Sequence, residues 1–184
     1  MKLAILGFGR EGQSIFKFLQ NRGLARVKTR IDADSISVNQ HKSALDEIWV
    51  LDKNPDIRIP RGVKTQLGKG YLKHLERFDI IFRSPGIPYT LPEIQKAKKT
   101  GVEISSPTKL FFELCPAKII GVTGTKGKGT TSTLIYKILK AAGKDVFLAG
   151  NIGTPALDIL SKTQMLADKN ADKRGYKISE NENV

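Results

Sequence analysis

The chain of 184 residues has one cysteine, Cys115, so no disulfide can form within it, and a reducing compartment suits it. With no histidine near it in sequence, Cys115 reads as a small buried apolar group rather than a nucleophile. Histidine is almost as scarce: His41 and His74 stand apart, without the neighbours a metal site needs. No apolar run approaches the length of a membrane span. The opening Met1-Lys2, followed by five apolar or small residues, is too short for a secretory segment. Acidic residues are also few, 18 against 31 Lys and Arg, for a net charge of +13. Such an excess raises nucleic acid as a partner. The basic residues are spread along the whole chain, however, with no zinc-finger spacing and no RNA-binding aromatic signature. A diffuse positive field equally suits small polyanions such as nucleotides. Neither a nucleic-acid nor a membrane partner is expected, and the composition, 40% apolar and 27% charged, is that of an ordinary soluble protein.

Glycine, by contrast, is concentrated where it can work on phosphates. Ile119 to Thr133 reads I-I-G-V-T-G-T-K-G-K-G-T-T-S-T. The β-branched run Ile119, Ile120, Val122 predicts a buried parallel strand, Lys118 to Val122. Leu134, Ile135, Ile138, Leu139 and Ala142 fall on one face of a following helix. Between them lie Gly124, Thr125, Lys126, Gly127, Lys128, Gly129 and Thr130. Strand, glycine loop and helix together make a phosphate cradle: backbone N–H groups turn toward the anion, the helix N-terminus adds partial positive charge, and a lysine neutralises the outer phosphates. The bland alternative is a glycine turn that binds nothing. The loop departs from the standard G-x-x-x-x-G-K-[ST], with Val122 in place of its first glycine and Gly129 where the Mg²⁺-binding hydroxyl belongs. That hydroxyl must come from Thr130 or Thr131, or not at all.

A second glycine turn opens the chain. The strand Lys2 to Leu6 leads into Gly7-Phe8-Gly9-Arg10-Glu11-Gly12, a G-x-G-x-x-G, and then into a helical stripe at Ile15, Phe16 and Leu19. Ile48 to Asp52 predicts the second strand. Asp52 lies much further past the glycines than the usual 20 or so residues, because the polar stretch from about Arg22 to Glu47 reads as an inserted loop. Asp52 is placed either to reach a ribose or uracil or to cap its strand. Asp79 to Phe82 and Val102 to Ile104 predict further strands, with Ser84-Pro85-Gly86-Ile87-Pro88 a rigid turn at the carboxyl end of the first of them. Thr90-Leu91-Pro92-Glu93 reads as a capping box opening a helix that turns Leu91, Ile94 and Ala97 inward and ends at Gly101. Ser106-Pro107 starts another helix, through Leu114. Beyond the seam at Cys115 to Ala117, Lys144 to Ala149 predicts a strand, Gly150 to Gly153 a turn, and Thr154-Pro155 a short helix through Leu160. The fold class is α/β: a Rossmann-like parallel-sheet domain over 1–115, the start of a P-loop ATP-binding domain over 116–160, and a tail over 161–184 whose polar, aperiodic composition predicts disorder.

Taken in order, G-F-G-R-E-G-Q-S, S-P-G-I at Ser84 to Ile87, T-G-T-K-G-K at Thr123 to Lys128 and G-N-I-G-T-P at Gly150 to Pro155 resemble the Mur ligases, over roughly residues 1 to 160. Folylpolyglutamate synthetases share the phosphate loop, and its K-G-K-G-T-T form is nearer theirs, but they lack the N-terminal domain. Within the Mur ligases, S-P-G-I and G-N-I-G favour the D-glutamate-adding branch. The resemblance implies a bacterial, cytoplasmic ligase, monomeric, using ATP and Mg²⁺ to join D-glutamate to UDP-N-acetylmuramoyl-L-alanine in peptidoglycan synthesis. It implies Arg10, Glu11 and Gly12 at the UDP diphosphate, Asp52 near the uridine, Ser84, Pro85 and Gly86 beside the nucleotide, and Asn151 on the substrate. It places the ATP triphosphate on Gly124 to Thr130 and makes Lys128 the catalytic residue that stabilises the γ-phosphate; of the two hydroxyls named above, Thr130 is the candidate Mg²⁺ ligand. Family members are more than twice this length, which implies a truncated or frame-shifted form that does not complete the reaction. A non-catalytic nucleotide-binding module and a general P-loop ATPase stay open as alternatives.

Overall fold

The computed structural model describes residues 1–22, 47–150 and 152–160, so the expectations for the inserted loop, the tail and Asn151 lie outside the described residues. These fall into two compact units, Met1–Lys109 and Leu110 onward.

The first unit is a five-stranded parallel sheet in the order β3-β2-β1-β4-β5. Its strands are β1 (Lys2–Leu6), β2 (Glu47–Asp52), β3 (Lys64–Leu67), β4 (Ile80–Arg83) and β5 (Glu103–Ser105), with α1 (Arg10–Arg22) and α2 (Pro92–Lys99) as crossover helices. The central strands are nearly continuous apolar runs because both faces of the sheet are covered. On one face Ala4, Leu6, Leu51 and Ile81 meet Ile94 and Ala97 of α2, with Leu75, Phe78 and Val102, in one buried cluster. On the other, Ile5 lies against the start of α1, whose Ile15, Phe16 and Leu19 are buried. Phe16 also meets Phe8 edge-on at 5.7 Å between ring centres. Each fully buried Leu or Ile contributes roughly 1.5–3 kcal/mol. Asp79 ties the start of β4 to the first strand by accepting the Lys2 N–H at 2.6 Å.

The predicted strands at 2–6, 48–52, 79–82 and 102–104 are present, within a residue or so at their ends. One strand escaped prediction. β3 is K-T-Q-L, paired among the described residues only with β2 and carrying polar side chains, a composition that protects a sheet edge and hides its periodicity. The capping box at Thr90 does not form. Leu91 is the N-cap, its carbonyl accepting the Gln95 N–H at 3.0 Å; Pro92, pre-set for the first helical position, starts the helix one residue later than a Thr90 cap requires. The rest of that reading holds: Ile94 and Ala97 point inward, and Gly101, at φ +94°, follows the last turn. In α3 (Pro107–Leu114), Ser106 Oγ accepts the Lys109 N–H at 3.1 Å, as an N-cap should.

The second unit departs further from expectation. Its phosphate-loop helix forms, as α4 (Lys128–Ala141), but none of its residues is buried, and Leu134 and Ile138 are 57% and 58% exposed. The stretches 118–122 and 144–149 are not strands. Among the described residues, the ladder hydrogen bonding of this unit is confined to a single bridge, Ala149 to Thr154. An apolar β-branched run becomes a strand only when neighbouring strands take its N–H and C=O groups, and no described strand does so. Cys115 is half-buried rather than buried. Residues 156–160 are helical, as predicted.

Candidate functional site

The strand order reverses between β1 and β4, and the carboxyl ends of both strands meet there, the place where open α/β sheets hold ligands. Four observations shape the turn after β1. Gly7 sits at φ +89°, and a Cβ on it would lie 3.0 Å from that of Ser84. Gly12 packs its bare Cα on the turn itself: a Cβ there would overlap the Gly7 carbonyl oxygen. Ser84 then locks the two strand ends together, its N–H donating to Leu6 O at 2.9 Å and its hydroxyl to Gly7 O at 2.7 Å. The middle glycine differs from the others, because a Cβ on Gly9 would meet nothing within 4 Å. Packing explains Gly7 and Gly12 but not Gly9, which leaves open space beside the backbone, at the position where glycine turns of this kind let a diphosphate approach in dinucleotide-binding folds. Gly9 is also the N-cap of α1, its carbonyl accepting the Gln13 N–H at 2.9 Å, so the first-turn N–H groups of that helix lie beside the same space.

Arg10 and Glu11 lie in that first turn, Arg10 exposed. Pro85 and Gly86 form the exposed part of the turn after β4. The structure thus brings Arg10, Glu11, Gly12, Ser84, Pro85 and Gly86 to one end of the sheet. Asp52 ends the neighbouring strand and is buried. Its Oδ2 accepts the Phe8 N–H at 2.7 Å and its Oδ1 the Asn54 N–H at 2.9 Å. One carboxylate therefore joins the glycine turn to the loop after β2, which gives Asp52 a strand-end role whatever else it contacts.

In the second unit, Gly127 (φ +77°) is the N-cap of α4 and supplies no side chain to its free N–H groups; the first helical bond runs from Thr131 N to Gly127 O at 2.9 Å. The N–H groups of Lys128, Gly129 and Thr130 are thus the uncapped donors of a helix N-terminus. Lys128 Nζ reaches back to the carbonyl oxygens of Gly124 and of Thr125, the latter at 3.3 Å, so the ammonium lies over the loop. Thr125, Lys126 and Thr130 are exposed. Gly129 lies beside Ile152: a Cβ there would meet the tip of that exposed side chain, which can turn away. Ser132, two residues past Thr130, donates its hydroxyl to Gly129 O at 3.1 Å. These residues suit a nucleoside triphosphate with Mg²⁺: free N–H groups, a lysine over the loop, and an exposed hydroxyl at Thr130. Among the described residues there is no group of three or more His, Cys, Asp or Glu placed to hold a metal ion. No described helix is long and apolar enough to cross a membrane.

A family model described as the Mur ligase MurD-like N-terminal domain matches residues 1–106. The chain belongs to this family. Its relatives include the UDP-N-acetylmuramoylalanine–D-glutamate ligases of Acetivibrio thermocellus, 41% identical over 91% of this chain, and of Clostridium novyi, 39% identical over 84%. The ligase of Ruminiclostridium cellulolyticum is 36% identical over 91% of the chain. The chain spans about a third of the length of these curated relatives, 32%, 31% and 32% respectively.

Within this MurD-like unit, two residues went unpredicted, one at the end of β4 and one in the turn beyond β3. Arg83, the last residue of β4, donates Nη1 to Ser84 O at 3.2 Å and to Ile87 O, and its guanidinium lies 5.8 Å from the Tyr89 ring centre. It fastens the turn that carries Ser84. A single cation before S-P-G-I looks like a solvated charge in sequence; its position at a strand end was the available signal. Tyr71 lies beyond β3, a strand the apolar pattern did not disclose.

Proposed function

We propose that this chain carries the UDP-substrate-binding and ATP-binding parts of a bacterial cytoplasmic ligase that joins D-glutamate to UDP-N-acetylmuramoyl-L-alanine in peptidoglycan synthesis. The observation that carries the reading is the turn Gly7 to Gly12 at the carboxyl ends of β1 and β4, closed by Ser84 and open at Gly9. The names of the relatives agree with it. The UDP diphosphate lies along Gly9 to Gly12, with the N–H groups of α1 and the Arg10 guanidinium offsetting its charge. Ser84, Pro85 and Gly86 flank the nucleotide, Asp52 stands near the uridine, and Asn151 contacts the substrate.

The phosphate loop, Gly124 to Thr130, takes ATP. Mg²⁺, when bound through Thr130, supplies charge neutralisation. Lys128 meets the negative charge of the γ-phosphoryl group as the L-alanine carboxylate oxygen attacks phosphorus, ADP leaves, and an acyl phosphate forms. The D-glutamate amine then attacks the acyl carbon; phosphate leaves, the amine loses a proton, and the amide remains. Among the described residues, the exposed α4 stripe and the stretches 118–122 and 144–149, which form no strand, leave the ATP-binding unit without a sheet behind its loop, and on that ground the 184-residue chain does not complete the reaction. Calorimetric titration with UDP-N-acetylmuramoyl-L-alanine, and a product assay with ATP, Mg²⁺ and D-glutamate added, test both halves. Saturable binding without product is expected. No binding refutes the site; clear product from the pure chain refutes the inactivity.

A further inference from the structure

Where does a nucleotide go after its diphosphate has met the β1 turn? In a sheet of this order the ribose lies over the end of β2, and the next strand outward is β3. Asp52 pairs in register with Leu67, the last residue of β3, so the two strands end side by side. The chain beyond Leu67 turns at Gly68 (φ +73°), where a Cβ would lie 3.8 Å from Pro55 in the loop after β2. A tight turn follows, with Tyr71 N–H donating to Gly68 O at 3.1 Å. Gln66 clamps this segment from within, its Nε2 donating to Gly70 O at 2.8 Å and to Lys73 O at 2.7 Å, while its Oε1 accepts Arg77 Nη2 at 2.6 Å. Tyr71 is therefore held on a braced turn at the carboxyl edge of the sheet, one strand out from Asp52.

Its side chain is half-buried, its ring packed on the cluster that includes Leu51, Leu75 and Ile94. Among the described residues no group takes the Tyr71 hydroxyl. Burial, and next the carboxylates of Asp52 and Glu93, push the phenol above the ordinary tyrosine range, which keeps the O–H protonated, a neutral donor. A uracil presents carbonyl acceptors and a π-face, and a tyrosine supplies the complement to both.

We propose that Tyr71 receives the nucleobase of the UDP substrate, its ring against the base and its hydroxyl donating to a base carbonyl. This rests on the UDP reading of the glycine turn. The test is calorimetric titration of the full 184-residue chain, Tyr71→Phe and Tyr71→Ala with UDP, and in parallel with inorganic pyrophosphate, which has no base. UDP affinity is expected to fall about five- to tenfold in Tyr71→Phe and about 10–100-fold in Tyr71→Ala. Pyrophosphate affinity should not move in either. Tyr71→Phe keeps the ring in the core, so an unchanged thermal midpoint by Trp49 fluorescence separates lost contact from lost fold. Unchanged UDP affinity in both variants, or equal losses for UDP and pyrophosphate, overturns the Tyr71 assignment alone. Absence of UDP binding by the unmodified chain overturns it together with the reading beneath it.

Discussion

Two glycines three residues apart in one turn should fail in opposite ways. Gly12 is buried against the Gly7 carbonyl; a Cβ there would overlap the oxygen and lie 3.0 Å from the carbonyl carbon, where ordinary contact begins at 3.4 Å. The obstruction is backbone, held in place by Ser84 and by the bond from Gly7 N to Leu51 O at 2.8 Å, so it cannot step aside as a side-chain tip can. Helix α1 must lift instead. Overpacking of this kind costs about 3 kcal/mol at the upper end of its usual range. The better helix propensity of alanine returns about 1 kcal/mol at most. Gly12→Ala should therefore destabilise the first unit by about 2 kcal/mol, lowering its midpoint by about 8–16 °C. Gly9→Ser meets no neighbour within 4 Å and places a favourable residue at an N-cap. It should leave the midpoint unchanged or slightly raised, yet weaken UDP binding more than about tenfold, because its side chain enters the space assigned to the diphosphate. The only tryptophan of the chain, Trp49, lies in β2 under the Arg77 guanidinium, 4.1 Å from the ring centre. Its fluorescence on heating reports this unit, and calorimetry reports UDP. The reasoning is refuted if Gly12→Ala melts with the parent, or if Gly9→Ser binds UDP as well as the parent does.

Four further outcomes are expected. Lys128→Met should weaken ATP binding about 10–100-fold, the worth of one charge-assisted contact, while UDP titrations stay unchanged. Gly129→Ser should restore a hydroxyl directly after the lysine but strike Ile152; paired with Ile152→Ala it should strengthen Mg²⁺-dependent ATP binding relative to Ile152→Ala alone, as read by a fluorescent ATP analogue. Arg83→Met frees the carbonyls of Ser84 and Ile87, and should cost the fold about 1–3 kcal/mol and loosen UDP binding, with Arg83→Lys failing to restore it because one ammonium does not replace a planar fork. Tyr71 contributes to alkaline unfolding. Its phenol pKa is raised in the folded state, so its contribution to stability is fully present below the ordinary value of 10.0 and is lost as pH rises through the folded value. Denaturant midpoints measured between about pH 9 and 11 should fall less steeply for Tyr71→Phe than for the parent.

Much of the first unit was legible because its chemistry is local. Lys2 to Leu6 and Ile48 to Asp52 are apolar because the sheet is covered on both faces, and a G-x-G-x-x-G between strand and helix carries its own geometry. What was hidden depended on partners distant in sequence. β3 is a strand because β2 pairs with it, and its polar residues suit an edge. Asp52 looked like a nucleotide contact or a cap, and only the fold brings the Phe8 N–H to its carboxylate across a sequence separation of 44. Gly129 read as a departure from the phosphate-loop pattern, and only the fold brings the tip of the Ile152 side chain beside it. In the second unit the local pattern was sufficient for helix α4 but not for strands at 118–122 and 144–149, since a strand is completed by its neighbours and a helix is not.

The most direct test is a titration of the isotope-labelled chain with UDP, followed by backbone amide shifts. The account predicts saturable movement at Phe8 to Gly12 and at Ser84 and Gly86, with the amides of Gly124 to Thr130 still. Movement confined to the phosphate loop, or no saturable movement at the glycine turn, would contradict it.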